Sequence, residues 1–172
     1  MAFFSRIGKS IESHIERHVL IPWPLTYGCC QIEVENAMSA TYDWQRLGVG
    51  RLVETPDQAD VLLISGWINE GLATQIKTVY AQMAEPRSVI AIGACALSGS
   101  PFSPPIPEAA KGKSDSKVIV ASQVVPVDIF VPGCPPRPEA ILEAFNTLRK
   151  IRNPLKNQDK VIYAALRGPT GN

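Results

Sequence analysis

Four cysteines are the residues of this sequence best suited to chemistry, and two of them are adjacent. Cys29 and Cys30 follow Gly28 in the stretch WPLTYGCCQIEVE, whereas Cys95 and Cys134 stand much farther along the chain. Adjacent side chains point to opposite faces of a strand and diverge by about 100° on a helix. Two neighbouring thiols that share one ligand therefore need an irregular backbone, which the glycine before them permits.

In a reducing compartment, four cysteines are more often metal ligands or small core residues than disulfide partners. Four converging thiolates suit either an iron–sulfur cluster or a tetrahedral zinc ion. Structural zinc usually takes its ligands from closely spaced Cys-x-x-Cys pairs, and the sequence contains none. A cubane cluster is larger and spreads its ligands apart. The chemistry favours a cluster over zinc, and the absence of any metal is the third alternative.

Short apolar segments alternate with amphipathic segments along the chain. The apolar runs, residues 59–66, 88–95 and 125–134, are typical of buried parallel strands. Apolar side chains at helical spacing predict helices over residues 71–83 and 137–151, and a further helix follows the tandem cysteines over residues 31–39. This alternation indicates an α/β domain with a parallel sheet.

The predicted strands place two of the cysteines at one edge of the sheet. Cys95 and Cys134 each follow the end of a strand, so both lie at the carboxyl edge, where open α/β sheets bind ligands. If the helix after the tandem pair begins at this edge, all four thiols converge. Gly28, Gly93 and Gly133 precede the cysteines, and glycine allows the backbone to pass close to a bulky inorganic group.

The composition excludes several classes of protein. Of 172 residues, 45% are apolar and 19% are charged, as in globular proteins. The formal net charge is +1 with acids and bases interspersed, so no nucleic-acid partner is predicted. No apolar run reaches the roughly 20 residues that span a bilayer, and no secretory signal is evident. We expect a cytosolic protein or a peripheral one on the cytoplasmic side of the cell membrane.

Three regions are predicted. Residues 1–21 contain an amphipathic helix, whose apolar face packs on its own domain, on a membrane surface or on a partner subunit. Residues 22–152 form the single α/β domain, with a long Pro-, Ser- and Gly-rich surface loop over residues 98–117. Residues 153–172 form a C-terminal tail.

Several motifs occur in the order and spacing of a known family. They are WPLTYGCCQIE, YDWQRLGV, ADVLLISG, VYAQMAEPRSVIAIGACA and VPVDIFVPGCPP. Over residues 22–152 the sequence resembles the PSST-type iron–sulfur subunit of respiratory complex I, the NADH:quinone oxidoreductase, and the related small subunits of nickel–iron hydrogenases. The resemblance implies a flavodoxin-like parallel sheet with helices on both faces. It also implies one 4Fe–4S cluster, held by Cys29, Cys30, Cys95 and Cys134.

The function implied is that of an electron-transfer subunit in a complex I-like membrane oxidoreductase, with no complete active site of its own. Its terminal 4Fe–4S cluster would lie next to the site of quinone, or of another acceptor, formed with a large subunit. The implied partners are that large subunit, of complex I or hydrogenase type, a ferredoxin-like iron–sulfur subunit and membrane subunits.

The sequence also departs from the family pattern. Here no residue separates the glycine of WPLTYG from the tandem cysteines, Trp67 replaces a common threonine, and ALSGSPF follows Cys95. These departures keep open the small subunit of a membrane-bound, energy-converting nickel–iron hydrogenase. A metal-free flavodoxin-like binding module is the third hypothesis.

Other polar and aromatic residues have both a functional and a structural interpretation. Glu33, one turn beyond the tandem pair, either couples the redox state of the cluster to protonation or is a charge favoured by the dipole at the start of a helix. Arg46 either places positive charge near the cluster or pairs with Asp43. Asp128 is expected to hydrogen-bond to loop backbone. Trp67 either lines a partner interface or covers the sheet edge.

Overall fold

The computed structural model describes residues 19–99 and 119–152. Within these ranges the strands form one parallel sheet in the order β1-β2-β3-β4. The strands are β1 (Pro22–Leu25), β2 (Val61–Ser65), β3 (Ser88–Ile92) and β4 (Ile129–Val131). The helices are α1 (Cys29–Met38), α2 (Glu70–Gln82), α3 (Gly93–Ser98), α4 (Ala121–Val124) and α5 (Pro138–Arg152). Short 3-10 turns lie at Trp44–Leu47 and Pro56–Gln58.

Three of the strands and the main helices match the predicted α/β pattern, but β1 was not predicted. Its two prolines, Pro22 and Pro24, pair in register with Val61 and Leu63 of β2. Proline is tolerated in an edge strand. Alternate residues of a strand direct their N–H positions to the same side. Pro22 and Pro24, which lack an N–H, can therefore both face away from β2 without costing a hydrogen bond in the sheet.

The sheet is covered by helices on both faces, as the resemblance implies. Alternate residues of β2 face opposite layers. Val61 and Leu63 pack in the same core cluster as α1 and α5, whereas Leu62 and Ile64 pack in the cluster that includes α2. All five residues of β2 are buried. Burying one such aliphatic side chain contributes about 1.5–3 kcal/mol, and this two-sided core fixes the sheet on which the cysteines stand.

The last residue of α5 anchors that helix to the amino edge of the sheet, away from the cysteines. The Arg152 guanidinium pairs with the Asp60 carboxylate before β2 and donates to the carbonyl oxygens of Asp60 (2.7 Å) and Pro86 (2.8 Å). It also donates to Ser88 Oγ at 2.9 and 3.1 Å. Both side chains of the ion pair are largely buried, so the far end of α5 is firmly held.

Several sequence predictions fall outside the described ranges. The predicted N-terminal helix lies almost entirely in residues 1–18, most of the Pro-rich segment lies in residues 100–118, and the C-terminal tail is residues 153–172. Across the parts of the chain that the structure describes, no helix is both long enough and apolar enough to cross a membrane.

Candidate functional site

The tandem cysteines are held at the carboxyl edge of the sheet by the chain that leaves β1. Tyr27 N–H donates to Ser65 Oγ at the end of β2 (3.0 Å), and Ser65 Oγ–H donates back to the Tyr27 carbonyl (3.3 Å). Gly28 follows with φ 67° and ψ −151°, and Cys29 and Cys30 are the first residues of α1. The irregular backbone expected at this point is therefore at Gly28, and the helix begins at Cys29 rather than near residue 31.

Gly93 is where the three cysteine-bearing segments meet. It adopts φ +85° directly after β3, two residues before Cys95. A Cβ atom at this position would stand 2.4 Å from Cys30 Sγ and 3.6 Å from the Gly133 carbonyl oxygen. The next residue, Ala94, donates its N–H to that carbonyl at 2.8 Å. Glycine is required here both by the backbone conformation and by the close approach of the thiol.

The segment that carries Cys134 makes a tight turn between β4 and α5. Gly133 has φ +149°, and a Cβ atom there would lie 2.4 Å from Pro136 Cα. The turn leaves Cys134 exposed, like Cys29, whereas Cys30 and Cys95 are buried. The four cysteines thus include two thiols on the protein side of the edge and two on the solvent side.

The four thiols are close enough to influence one another's ionisation. The pKa of Cys30 is raised from 9.0 to about 12, chiefly by burial and also by the charge of Cys29, a hydrogen bond with it, and the charges of Cys95 and Cys134. Burial also raises the pKa of Cys95, helped by the charges of Cys134 and Cys29. Four thiolates crowded in this way would repel one another unless a positive charge, such as that of a metal group, compensated them.

The donor set fits an iron–sulfur cluster, for which four cysteine thiolates are the usual ligands. Three separate segments contribute the donors, and glycine leaves room beside the most buried thiol. In the described ranges, no group of three or more His, Cys, Asp or Glu side chains is arranged to hold a single metal ion.

The other residues singled out from the sequence have varied positions. Glu33 lies half-buried on α1, one turn beyond Cys30. Arg46 Nε pairs with Asp43 Oδ2 at 2.9 Å on the surface. This ion pair is the second of the two interpretations of Arg46, the first being a positive charge near the cluster. Asp128 Oδ2 accepts a hydrogen bond from the Val89 backbone N–H at 2.7 Å. Asp128 therefore bonds to backbone, as expected, but to strand β3 rather than to a loop, at the sheet edge opposite the cysteines.

Exposed apolar side chains border the cysteines. The apolar rim comprises Tyr27, Ile32 and Trp67, which are 41%, 63% and 45% exposed. The segments that carry Tyr27 and Trp67 are in contact. A Cβ atom at Gly66, the residue before Trp67, would lie 3.0 Å from both the carbonyl oxygen and the Cβ of Tyr27. Aromatic side chains left exposed beside a functional edge are typical of a surface that another molecule covers.

Two further residues near the site were missed from the sequence. Tyr42 Oη donates to Glu139 Oε1 at 3.2 Å, and Trp44 is fully buried against Phe145. The residues of each pair are about a hundred positions apart, so no local pattern could join them. The only signal was an apolar aromatic residue inside the charged motif YDWQR.

Fold and site together define a class: an α/β domain whose parallel sheet presents four cysteines at its carboxyl edge. The family described as "NADH ubiquinone oxidoreductase, 20 Kd subunit" matches residues 28–148. The chain belongs to this family, and the resemblance noted from the sequence is confirmed.

Relatives in this family cover most of the chain. An NADH-quinone oxidoreductase subunit of Rubrobacter xylanophilus is 43% identical over 130 residues, which are 74% of this chain and 48% of that protein. The chain therefore spans about half the length of this relative. The NADH-quinone oxidoreductase subunit of the same type from Clostridium beijerinckii is 39% identical over 160 residues, which cover 83% of this chain and 88% of that protein.

Two solved structures share the fold at low sequence identity. One is the membrane-bound sulfane sulfur reductase, an archaeal respiratory membrane complex, with a TM-score of 0.68 and 24% identity over 85% of this chain and 77% of that chain. The other is an NAD+-reducing [NiFe]-hydrogenase, with a TM-score of 0.54 and 19% identity over 87% of this chain and 98% of that chain. At these identities the likeness establishes the fold alone.

Proposed function

We propose that this chain is the electron-transfer subunit of a complex I-like membrane oxidoreductase. In this proposal Cys29, Cys30, Cys95 and Cys134 hold one 4Fe–4S cluster at the carboxyl edge of the sheet. The observation that carries the proposal is the meeting of the three cysteine-bearing segments at Gly93, whose Cβ position lies 2.4 Å from Cys30 Sγ and 3.6 Å from the Gly133 carbonyl oxygen. Membership of the NADH ubiquinone oxidoreductase family supports it.

The chain's own groups would hold the cluster and shape its surroundings. Cys29 and Cys30 occupy the first turn of α1, where the helix dipole favours negative charge on their thiolates. Gly93 keeps the space beside Cys30 Sγ free of a side chain. When bound, a 4Fe–4S cluster supplies one-electron redox chemistry, with a potential tuned by hydrogen bonds to sulfur and by solvent exposure.

The apolar rim of Tyr27, Ile32 and Trp67 gives the site its partner surface. We assign this surface to a large subunit, which would cover the exposed thiols of Cys29 and Cys134 and exclude water from the edge. The acceptor, a quinone or another substrate, would lie between the two subunits, and electrons would arrive from a ferredoxin-like subunit. The chain has no complete active site of its own in this account.

Glu33 and Arg46 belong to the same proposal with smaller roles. Glu33 lies one turn from Cys30 on α1, which supports a part in proton uptake near the cluster. Arg46 is exposed beside Asp43, where its charge is available to the cluster environment or to a partner. Peripheral attachment at the cytoplasmic side of the cell membrane, through membrane subunits, completes the proposal.

The test is electron flow through the intact complex purified anaerobically from membranes. We expect the EPR signal of the reduced cluster to appear after reduction by a low-potential donor and to disappear when a soluble quinone is added. A reduced signal that quinone leaves unchanged, together with hydrogen evolution, would instead indicate the hydrogenase alternative. Its large subunit would then contain the four cysteines that a nickel–iron site requires, and a quinone-type subunit would lack them.

A further inference from the structure

The loop that follows α1 lies along α5 and touches it at three points. This Trp44 loop comprises residues 39–49. Near the start of α5, Tyr42 Oη donates to Glu139 Oε1 at 3.2 Å. In the middle, the rings of Trp44 and Phe145 meet edge to face, with centroids 5.6 Å apart. Toward the end of α5, the Arg149 guanidinium donates to the Leu47 carbonyl.

The backbone of the Trp44 loop is held in an uncommon conformation between these contacts. Asp43 has φ 42° and ψ 70°, in the left-handed region that residues other than glycine seldom adopt. Its N–H donates to the Ser39 carbonyl at 2.7 Å. Such conformations persist where the surrounding structure imposes them. Here the contacts that the flanking residues Tyr42 and Trp44 make with α5 impose the backbone conformation of Asp43.

These contacts connect two segments that carry proposed cluster ligands. The tandem cysteines begin α1, which leads directly into the Trp44 loop, and Cys134 lies just before α5. The Tyr42 hydroxyl lies near both helices. Its pKa is raised by the hydrogen bond to Glu139, by partial burial, and by the charges of Glu139 and of Glu33 on α1.

We propose that the hydrogen bond between Tyr42 and Glu139 is a positioning contact that tightens the spacing between the tandem-cysteine helix and the Cys134 segment, a spacing set in outline by the core packing of α1 on α5. It thereby governs how firmly the 4Fe–4S cluster is retained. This inference rests on the proposed function, because it requires the cluster at the four cysteines. Tyr42 and Glu139 act through the segments that carry them: the Trp44 loop continues from α1, and α5 follows the Cys134 turn.

The contact is suited to tuning the site rather than to stabilising the fold. Tyr42 is half-buried and Glu139 is exposed, whereas Trp44 and Phe145 beside them are both fully buried. The buried aromatic pair keeps the loop on α5 if the hydrogen bond is removed. Loss of the Tyr42 hydroxyl should therefore loosen the spacing of the ligands without unfolding the domain.

The experiment compares iron release from the full chain loaded with iron and sulfide under anaerobic conditions. The chain is exposed to an excess of a ferrous chelator, and thermal unfolding is recorded in parallel. We expect Tyr42→Phe and Glu139→Ala to release iron about two- to fivefold faster than wild type, as expected for the loss of one exposed hydrogen bond. The unfolding temperature of the iron-free chain should fall by no more than about 2–4 °C. Glu139→Gln keeps an acceptor and should behave as wild type.

The matched control is Thr78→Ala, which removes an exposed hydroxyl that bonds the Thr74 carbonyl within α2 at 3.0 Å. Its iron release should equal that of wild type. Release from Tyr42→Phe at the wild-type rate, or an increase explained by a lower unfolding temperature, would overturn the positioning role while leaving the cluster assignment intact. A wild-type chain that holds no iron or sulfide would overturn the proposed function and this inference with it.

Discussion

A side chain at position 93 and the thiol of Cys30 cannot both occupy their places in this structure. The Cβ position of Gly93 lies 2.4 Å from Cys30 Sγ, well inside the contact distance of carbon and sulfur. The same residue touches the segment of Cys134 through the Gly133 carbonyl and leads into the helix that contains Cys95. The absence of a side chain at Gly93 thus allows the thiol-bearing segments to approach one another this closely.

Gly93→Ala should therefore disrupt the cysteine site. The methyl group displaces Cys30, and the positive φ of +85° costs an alanine residue about 1–2 kcal/mol. We expect a chain that still folds but retains well under half of the wild-type iron and sulfide, measured by chemical analysis after anaerobic purification.

Gly71→Ala is the matched control for that substitution. Gly71 lies in α2, and a Cβ atom there would meet only Asn69 Oδ1, at an ordinary 3.5 Å. Because Gly71 is the second residue of α2, alanine should raise stability by no more than the roughly 0.5–1 kcal/mol found in helix interiors, with unchanged iron content. Equal iron content in Gly93→Ala and Gly71→Ala would contradict the close approach at Cys30.

At the opposite edge of the sheet, Asp60→Asn should destabilise the fold. Asp60 accepts hydrogen bonds from the Ile21 N–H (Oδ1, 2.7 Å) and from the Arg152 guanidinium (Oδ2). The NH2 group of asparagine would face one of these donors, which we expect to cost about 1–3 kcal/mol. Urea unfolding of the full chain measures the change. The control is Glu143→Gln, which removes the charge from an exposed pair with Lys150 at 3.7 Å and should change the free energy of unfolding by less than about 0.5 kcal/mol.

The Asp60 pair also predicts a pH dependence. Burial raises the pKa of Asp60 above 3.8, although Arg152 and the Ile21 N–H oppose the increase. The folded state therefore binds a proton more readily than the unfolded chain, and the contribution of Asp60 to stability declines as pH rises through the folded pKa. The stability advantage of wild type over Asp60→Asn should shrink as pH rises from 3.8 and then level off. An advantage that grows over this interval would show that the pKa of Asp60 is lowered.

The apolar rim predicts a specific loss of partner binding. Trp67→Ala should weaken association with the large subunit by about tenfold or more, as for a central aromatic residue of an interface, while the unfolding temperature changes little. Leu52→Ala is the control, because Leu52 is 44% exposed against 45% for Trp67. Leu52 comes three residues after Val49, which bridges Leu20 just before β1, and so lies on the chain away from the carboxyl edge. Equal binding by the two variants, measured by titration of the partner, would remove Trp67 from the interface.

Much of the fold was predictable because its signals are local. Continuous apolar runs marked β2 and β3, and the rule that parallel strands share a carboxyl edge brought Cys95 and Cys134 together. The family resemblance supplied the flavodoxin-like arrangement. The strand β1 was missed because its two prolines are tolerated only at a sheet edge, and edge position is a property of the folded sheet rather than of four residues.

The finer features of the site depend on tertiary contacts that leave no local pattern. Glycine near each cysteine was visible in the sequence, but the approach of Gly93 to Cys30 depends on where the folded sheet places the start of α1 relative to the end of β3. The contact between Tyr42 and Glu139 likewise joins residues 97 positions apart. The helix α4 has only four residues, which are too few to show helical periodicity.

The most direct test of the account is the iron and acid-labile sulfide content of the full chain, purified anaerobically, beside four single Cys→Ser variants. We expect about four iron and four sulfide per wild-type chain, as one cubane cluster requires, and a large loss in each variant at Cys29, Cys30, Cys95 and Cys134. A metal-free wild-type chain, or a variant that keeps the full content with an unchanged EPR spectrum, would contradict the four-cysteine assignment.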